Sequence, residues 1–274
     1  YRMSYLDLLA DAINASGGMP SYDDFQAKLE FRPNVYNTFS ILMVNGGSVY
    51  DRDMDGAIDV GETEYGKLKN DQNTIGINYK HIWNKRAYTN TSISNSTKNS
   101  DAHFLNIYTE KTVFNIIENI DVKNLRQVNY LKLGSRSKME FGFDVELNET
   151  YYDYYRKLTK SELFINEIAF DRVVKTTNYA AFLTVKQNLF SRMILSTGFR
   201  LDHNDYEKIN LWSPRINLDY EIIRGKTNII INAGSYNQNP PPIYIANETS
   251  NKLKSVNAYQ HSLSLEHMIT PSTK

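Results

Sequence analysis

Residues 139–148 read MEFGFDVELN, and the alternation is strict. Met139, Phe141, Phe143, Val145 and Leu147 fall on one side of an extended chain, and Glu140, Gly142, Asp144, Glu146 and Asn148 on the other. Helical periodicity would scatter the same residues around a cylinder, so the stretch predicts a strand with one apolar and one polar face. The pattern recurs in both directions. LWSPRINLDYEI (211–222) sets Trp212, Pro214, Ile216, Leu218, Tyr220 and Ile222 against Arg215, Asn217, Asp219 and Glu221. TIGINYKHIW (74–83) sets Ile75, Ile77, Tyr79, His81 and Trp83 against Thr74, Gly76, Asn78 and Lys80, and DFQAKLEF (24–31) sets Phe25, Ala27, Leu29 and Phe31 against Asp24, Gln26, Lys28 and Glu30.

About twelve such segments occur, near 2–10, 22–32, 38–48, 74–83, 87–97, 122–133, 138–149, 178–190, 192–203, 210–223, 226–237 and 258–269. Most reach ten residues or more, beyond the roughly five or six of an ordinary strand and enough for the about 9–11 of a tilted strand that crosses a bilayer. A soluble antiparallel sandwich would also alternate. The connections argue against it. IWNKRA, NLFSRM and IIRGKT join strands almost directly, whereas 49–73, 98–121, 150–177 and 238–257 read as long loops. Short turns on one side and long loops on the other is the arrangement of an outer-membrane barrel, and Trp83, Tyr88 and Phe190 beside the short turns suit an interfacial aromatic girdle. The expected fold is all-β: an antiparallel meander over 1–274, forming part of a transmembrane barrel, curved and incompletely closed.

Composition narrows the function. The 274 residues carry 31 Lys+Arg and 31 Asp+Glu, so no net field gathers nucleic acid. Cysteine is absent, which removes thiolate metal sites and thiol nucleophiles. Twenty tyrosines sit in a chain of polar mean hydropathy, −0.51, as one-sided strands require. No apolar run approaches the roughly 18–20 residues of a membrane helix. His81, His103, His203, His261 and His267 are scattered without HExxH spacing, GxSxG is absent, and the GGS at 46–48 lacks the lysine of a phosphate loop, so no catalytic residue is assigned.

One motif stands apart. DRDMDGAIDVGE (51–62) matches D-x-D-x-D-G-x5-E, the calcium loop of helix-loop-helix proteins, although both flanks read as strands. Asp51, Asp53 and Asp55 alternate toward one centre, Ala57 would contribute its carbonyl, Asp59 acts through water, and Glu62 closes the shell with both oxygens. FRPNVYN is a short-side turn, so the following strand delivers the motif to the long-loop side. The expectation is an EF-hand-like Ca2+ site in an extracellular loop, the alternative a solvated acidic loop. NQNPPPIY offers a second candidate: Tyr236, Asn237 and Gln238 follow a strand into a proline-stiffened loop and could contact a ligand, although a rigid loop base is the simpler reading.

Residues 178–242, NYAAFLTVKQNLFSRMILSTGFRLDHNDYEKINLWSPRINLDYEIIRGKTNIIINAGSYNQNPPP, resemble the middle-to-late barrel of TonB-dependent outer-membrane receptors. A strand ends in NLF, STGFRLDHND leads to an outer loop, WSPRINLDYEI returns, RGKT turns, and NAGSYNQNPPP rises again. SYLDLL with GMPSYDDFQAKLEF looks similar to an earlier hairpin of these barrels. The resemblance implies about 12 strands of a roughly 22-stranded barrel, an internal piece without the plug domain and TonB-contacting segment such receptors carry. It further implies residence in the bacterial outer membrane among its lipids, capture of a small-molecule, glycan or peptide ligand, and uptake energised by the TonB complex through the plug. A passive porin-like channel or a calcium-stabilised surface-binding barrel is the alternative.

Overall fold

The computed structural model describes residues 2–3, 18, 20–161, 164–247 and 253–269. Twelve strands form one sheet in strict sequence order, every neighbouring pair antiparallel. They are β1 (Arg2–Met3), β2 (Ser21–Asn34), β3 (Asn37–Arg52), β4 (Glu64–Asn84), β5 (Ala87–Asn106), β6 (Thr112–Lys132), β7 (Ser137–Ser161), β8 (Phe164–Phe190), β9 (Met193–Asn204), β10 (Ile209–Ile223), β11 (Thr227–Gln238) and β12 (Val256–His267). Among the described residues two short helices interrupt the connections, α1 (Met54–Asp59) and α2 (Pro242–Ala246). Each expected segment falls on one of these strands, with 4–10 of the first lying outside the described residues. No pairing closes β1 onto β12 among the described residues, so the meander is open.

Strand ends depart from expectation. Of the loops expected at 98–121 and 150–177, the first shrinks to 107–111, and β7 and β8 run 25 and 27 residues, ending only at Ser161 and Phe164. The stretch 49–73 is irregular or helical only over 53–63. At roughly 3.3 Å per residue, β8 is about 90 Å long, far more than a bilayer requires. The extra length stands above the membrane, and the outer face shows where. Along the outer side, Ile75, Ile77, Ile93, Leu125, Phe143, Val145 and Leu147 give way to the ion pairs Lys69–Asp71 at 2.8 Å, Lys123–Asp121 at 3.4 Å and Lys175–Glu149 at 3.0 Å. Cross-strand and same-face charges sustain a ladder in water but would be costly in hydrocarbon.

Hairpin turns are fixed by asparagine. Asn34 Oδ1 accepts from the amides of Tyr36 and Asn37, each at 3.0 Å, and Asn84 Oδ1 from that of Arg86 at 2.7 Å. On the opposite side Asn106 and Asn204 do the same for residues two and three further on. A short side chain that bonds its own downstream backbone stabilises a tight reversal without a second glycine. At the β10–β11 turn, where φ of +68° is needed, the residue is Gly225.

The sheet has almost no core of its own. Phe143, Ile77 and Leu263 are 37%, 53% and 74% exposed, and no second layer covers their face among the described residues. That inversion fits a wall whose outer solvent is lipid. Curvature follows from contact: α2 leaves β11 yet packs on β7 and β8, three strands away, so the polar face is concave.

Candidate functional site

Register builds a charged cluster on the concave face. Asp144 of β7 stands opposite Arg126 of β6 and Ala180 of β8, and Ala180 opposite Asp202 of β9. Because Ala180 is small, Arg200 reaches across β8: its Nη1 lies 2.8 Å from Asp144 Oδ2 while its Nε lies 2.8 Å from Asp202 Oδ1. Arg126 Nε sits 3.5 Å from Asp144 Oδ1, and its guanidinium lies 5.3 Å from the Phe182 ring centroid. Asp144 is thus held by two arginines, but Oδ1 itself is buried without a hydrogen bond. Glu146 accepts from Asn178 at 3.0 Å and completes a polar cavity of about 320 Å³ that Asn124 and Asn239 also line. The alternation in MEFGFDVELN placed Asp144 on this face. Its partners could not be read there, because pairing across three strands depends on a register that single strands do not encode.

A wider hollow of about 700 Å³ lies on β8–β12 and contains Tyr236. Arg215 stands between Gly198 and Gly234 on the neighbouring strands, and the missing side chains leave room for its guanidinium to lie 4.4 Å from the Tyr236 ring centroid. No carboxylate pairs with Arg215 among the described residues. Asn217, Asn232 and Gln260 add amides to the same hollow. Asn237 is differently placed: it donates to the Trp212 carbonyl at 3.1 Å and Ser213 Oγ at 2.9 Å, and accepts from Asn257 at 2.7 Å, so its amide is committed to the wall. Gln238 is the exposed last residue of β11.

The proline-rich stretch turns inward. Pro241 and Pro242 start α2, and Ile243, Ile245 and Ala246 pack on Tyr152, Val174, Ile116 and Phe170. Asn239 donates to Asn178 at 2.9 Å and accepts from Ser255 at 3.1 Å, while Ser255 also bonds Glu207. The described part of the connection, 239–247, is therefore a strap anchored by polar bonds at Asn239, which Ser255 joins, and by α2 on the upper concave wall. Burial first, then the charge of Glu118, push the Tyr152 phenol up, so it stays neutral beneath the strap.

The acidic motif adopts another arrangement. Asp51, next to last in β3, has its carboxylate 3.0 Å from Lys67 Nζ. Asp53 Oδ1 accepts from the Gly56 amide at 2.8 Å and caps α1, which contains Asp55, Ala57 and Asp59. The Ala57 carbonyl accepts from the Glu62 amide at 2.9 Å. Among the described residues no three His, Asp or Glu side chains converge as metal ligands would. Carboxylates and a backbone carbonyl suit calcium chemically, but here they are directed to separate partners.

The architecture agrees with comparison by sequence. A family model described as "TonB dependent receptor-like, beta-barrel" matches residues 7–270. The chain belongs to the TonB-dependent receptor β-barrel family. No curated protein matches it. Among solved structures, the siderophore receptor PiuA from Acinetobacter baumannii is similar with a TM-score of 0.70 at 8% identity, over 92% of this chain and 48% of that one. P. aeruginosa FpvA bound to a pyoverdine–iron complex gives 0.70 at 11%, over 91% and 40%. The copper transporter OprC gives 0.68 at 12%, over 92% and 43%. The chain spans less than half the length of these three. TonB-dependent receptor barrels reside in the outer membrane of Gram-negative bacteria, so the apolar convex face meets lipid and the polar concave face is the lumen.

Proposed function

We propose that the intact receptor captures a ligand at its extracellular mouth and imports it through the lumen with energy delivered by TonB to a plug domain. The observation that carries this reading is the two-faced wall: an apolar band outside, and inside it two polar hollows built around Arg215–Tyr236 and Arg126–Asp144–Arg200. Such a wall binds and passes a polar solute; nothing in the reading makes or breaks a bond. Its ligand-facing contribution from the 236–238 stretch is Tyr236, held beneath Arg215, with Gln238 at the rim and Asn237 bracing the strand. Siderophore–iron complexes and copper, named for the similar receptors, are the first ligands to try. The test is uptake by the full-length receptor with and without its TonB-contacting segment. Loss of uptake with retained binding supports the reading, and undiminished uptake would establish a passive channel instead.

For residues 51–62 we propose a calcium-bound state distinct from the capped helix. The complete ligand spacing supports it. Binding would draw Asp53 from Gly56 and Asp51 from Lys67, exchanging one helix-cap bond and one exposed ion pair for a cation among five carboxylates. Titration calorimetry on the full receptor should find one calcium per loop, abolished by Glu62→Ala. Equal heats for wild type and variant, or none from either, sink the proposal.

A further inference from the structure

Among the described residues, four of the five short turns share a charge pattern that transport does not use. Residues 85–86, 133–136, 191–192 and 224–226 present Lys85, Arg86, Arg136, Arg192, Arg224 and Lys226, all exposed. The remaining turn, Val35–Tyr36, is uncharged, and none of the five contains an Asp or Glu. No carboxylate lies within ion-pair distance of these six cations among the described residues. The connections at the other end of the sheet are not uniformly basic: 53–63 carries Asp53, Asp55, Asp59 and Glu62 with no Lys or Arg, and 205–208 carries Asp205 and Glu207 beside Lys208. Lys132 and Lys138, at the base of the β6–β7 hairpin, face the lumen by strand parity and belong to a different surface.

Position gives the cations a meaning. Just above them on the convex face lie Trp83, 64% exposed, Phe190, 72% exposed, and Ile223. Trp83 is held there by its Nε1–H, which donates to Thr89 Oγ1 at 2.8 Å. Aromatic and aliphatic side chains with cations one step further from the bilayer centre make the amphipathic edge that anchors a membrane protein at the headgroup level. The charges are also spread along the perimeter, one or two per hairpin, and successive hairpins are roughly 10 Å apart at two strand spacings. That distribution suits many small anions arrayed in a plane, each with its apolar part against the wall above, better than one continuous polyanion.

We propose that the turn rim is a binding site for the phosphates of anionic phospholipids in the periplasmic leaflet. Each tip guanidinium or ammonium contacts a headgroup phosphate whose acyl chains lie along the apolar band. The attraction is electrostatic and interfacial, so it must weaken as salt is raised.

The experiment uses the full-length receptor, purified in neutral detergent and presented with phosphatidylglycerol or phosphatidylcholine of the same chain length, with retained lipid counted by native mass spectrometry. Wild type should retain phosphatidylglycerol over phosphatidylcholine by roughly five- to tenfold, on the scale expected for several interfacial cations. A variant with all six changed to Gln should lose the preference, and one with Lys and Arg exchanged at the six positions should keep it. Unchanged heat-modifiability on gels shows that each variant is folded. Soluble glycerophosphate in excess should fail to displace the lipid, since it lacks the chains; displacement would reassign the rim to free phosphate. Equal retention of both lipids, a preference that survives in the Gln variant, or displacement by polyglutamate with no lipid preference would overturn the proposal, the last in favour of an acidic protein partner.

Discussion

Asp144 shows why facing the lumen is not enough to make a position tolerant. It sits between two arginines with one oxygen lacking a hydrogen bond, so Asp144→Arg would place three guanidiniums together and fail for a reason unrelated to lipid. Ser94 is the better lumenal control. It stands opposite Gly76 and Asn124, where a long side chain has room, and the diagonal cation on its face, Arg126, is already paired with Asp144. Phe143 lies mid-way along the apolar outer face, where Arg should cost about 2–4 kcal/mol. Phe143→Arg should therefore impair outer-membrane assembly strongly and Ser94→Arg little, as read by the fraction of heat-modifiable receptor. Equal defects would contradict the assignment of faces. A second residue-scale outcome concerns Gly142. A Cβ there would meet the Gln127 carbonyl oxygen at 1.9 Å and Phe182 Cζ at 2.9 Å. Backbone cannot yield as a side-chain tip can, so Gly142→Ala should lower the thermal midpoint by an amount matching about 1–3 kcal/mol of overpacking. An unchanged midpoint would mean that β6 and β7 separate more easily than their ladder suggests.

At the scale of elements, the strap over 239–247 is the piece whose behaviour differs from that of a plain loop. Its apolar contacts are few, Ile243, Ile245 and Ala246 against Tyr152 and Val174, and its anchor at Asn239 is polar. Ile243→Ser with Ile245→Ser should leave barrel assembly intact while exposing 239–247 to protease, because locally weak segments open without global unfolding. Resistance equal to wild type would show that the polar anchor alone holds the strap. The same element marks the limit of what sequence could tell. Its prolines forecast stiffness, and a rigid loop base was the simpler expectation; that it folds inward depends on Tyr152 and Val174, more than sixty residues away in the chain. The strands were legible wherever lipid imposes one apolar face. They became illegible above the bilayer, where Lys123, Asp121, Glu149 and Lys175 occupy the outer positions. There the hydrogen-bonded ladder continues but the apolar alternation that reveals it stops, so the sequence predicts loops over about half of β7 and β8. The acidic motif poses a different problem: its spacing is complete, yet the Asp53 oxygen suited to calcium is also a good helix cap, and spacing alone does not choose between the two.

For the whole molecule, the decisive feature is the free edge. Among the described residues β12 pairs with β11 alone and is exposed along nearly all its length, with Tyr259, Leu263 and Leu265 at 78%, 74% and 68%. An uncovered edge twelve residues long offers a row of unpaired amides and carbonyls, which in hydrocarbon cannot turn to water and must find another strand. In barrels of this family the following strands supply it. The 274-residue chain refolded alone into detergent micelles should therefore self-associate edge to edge, giving dimers and larger species by sedimentation, whereas the full-length receptor should sediment as a monomer. The association should persist in high salt, because it rests on backbone pairing and apolar burial instead of the surface ion pairs that salt screens. A monodisperse monomer with its strand content intact would mean that β1 and β12 meet and that twelve strands suffice to close the wall.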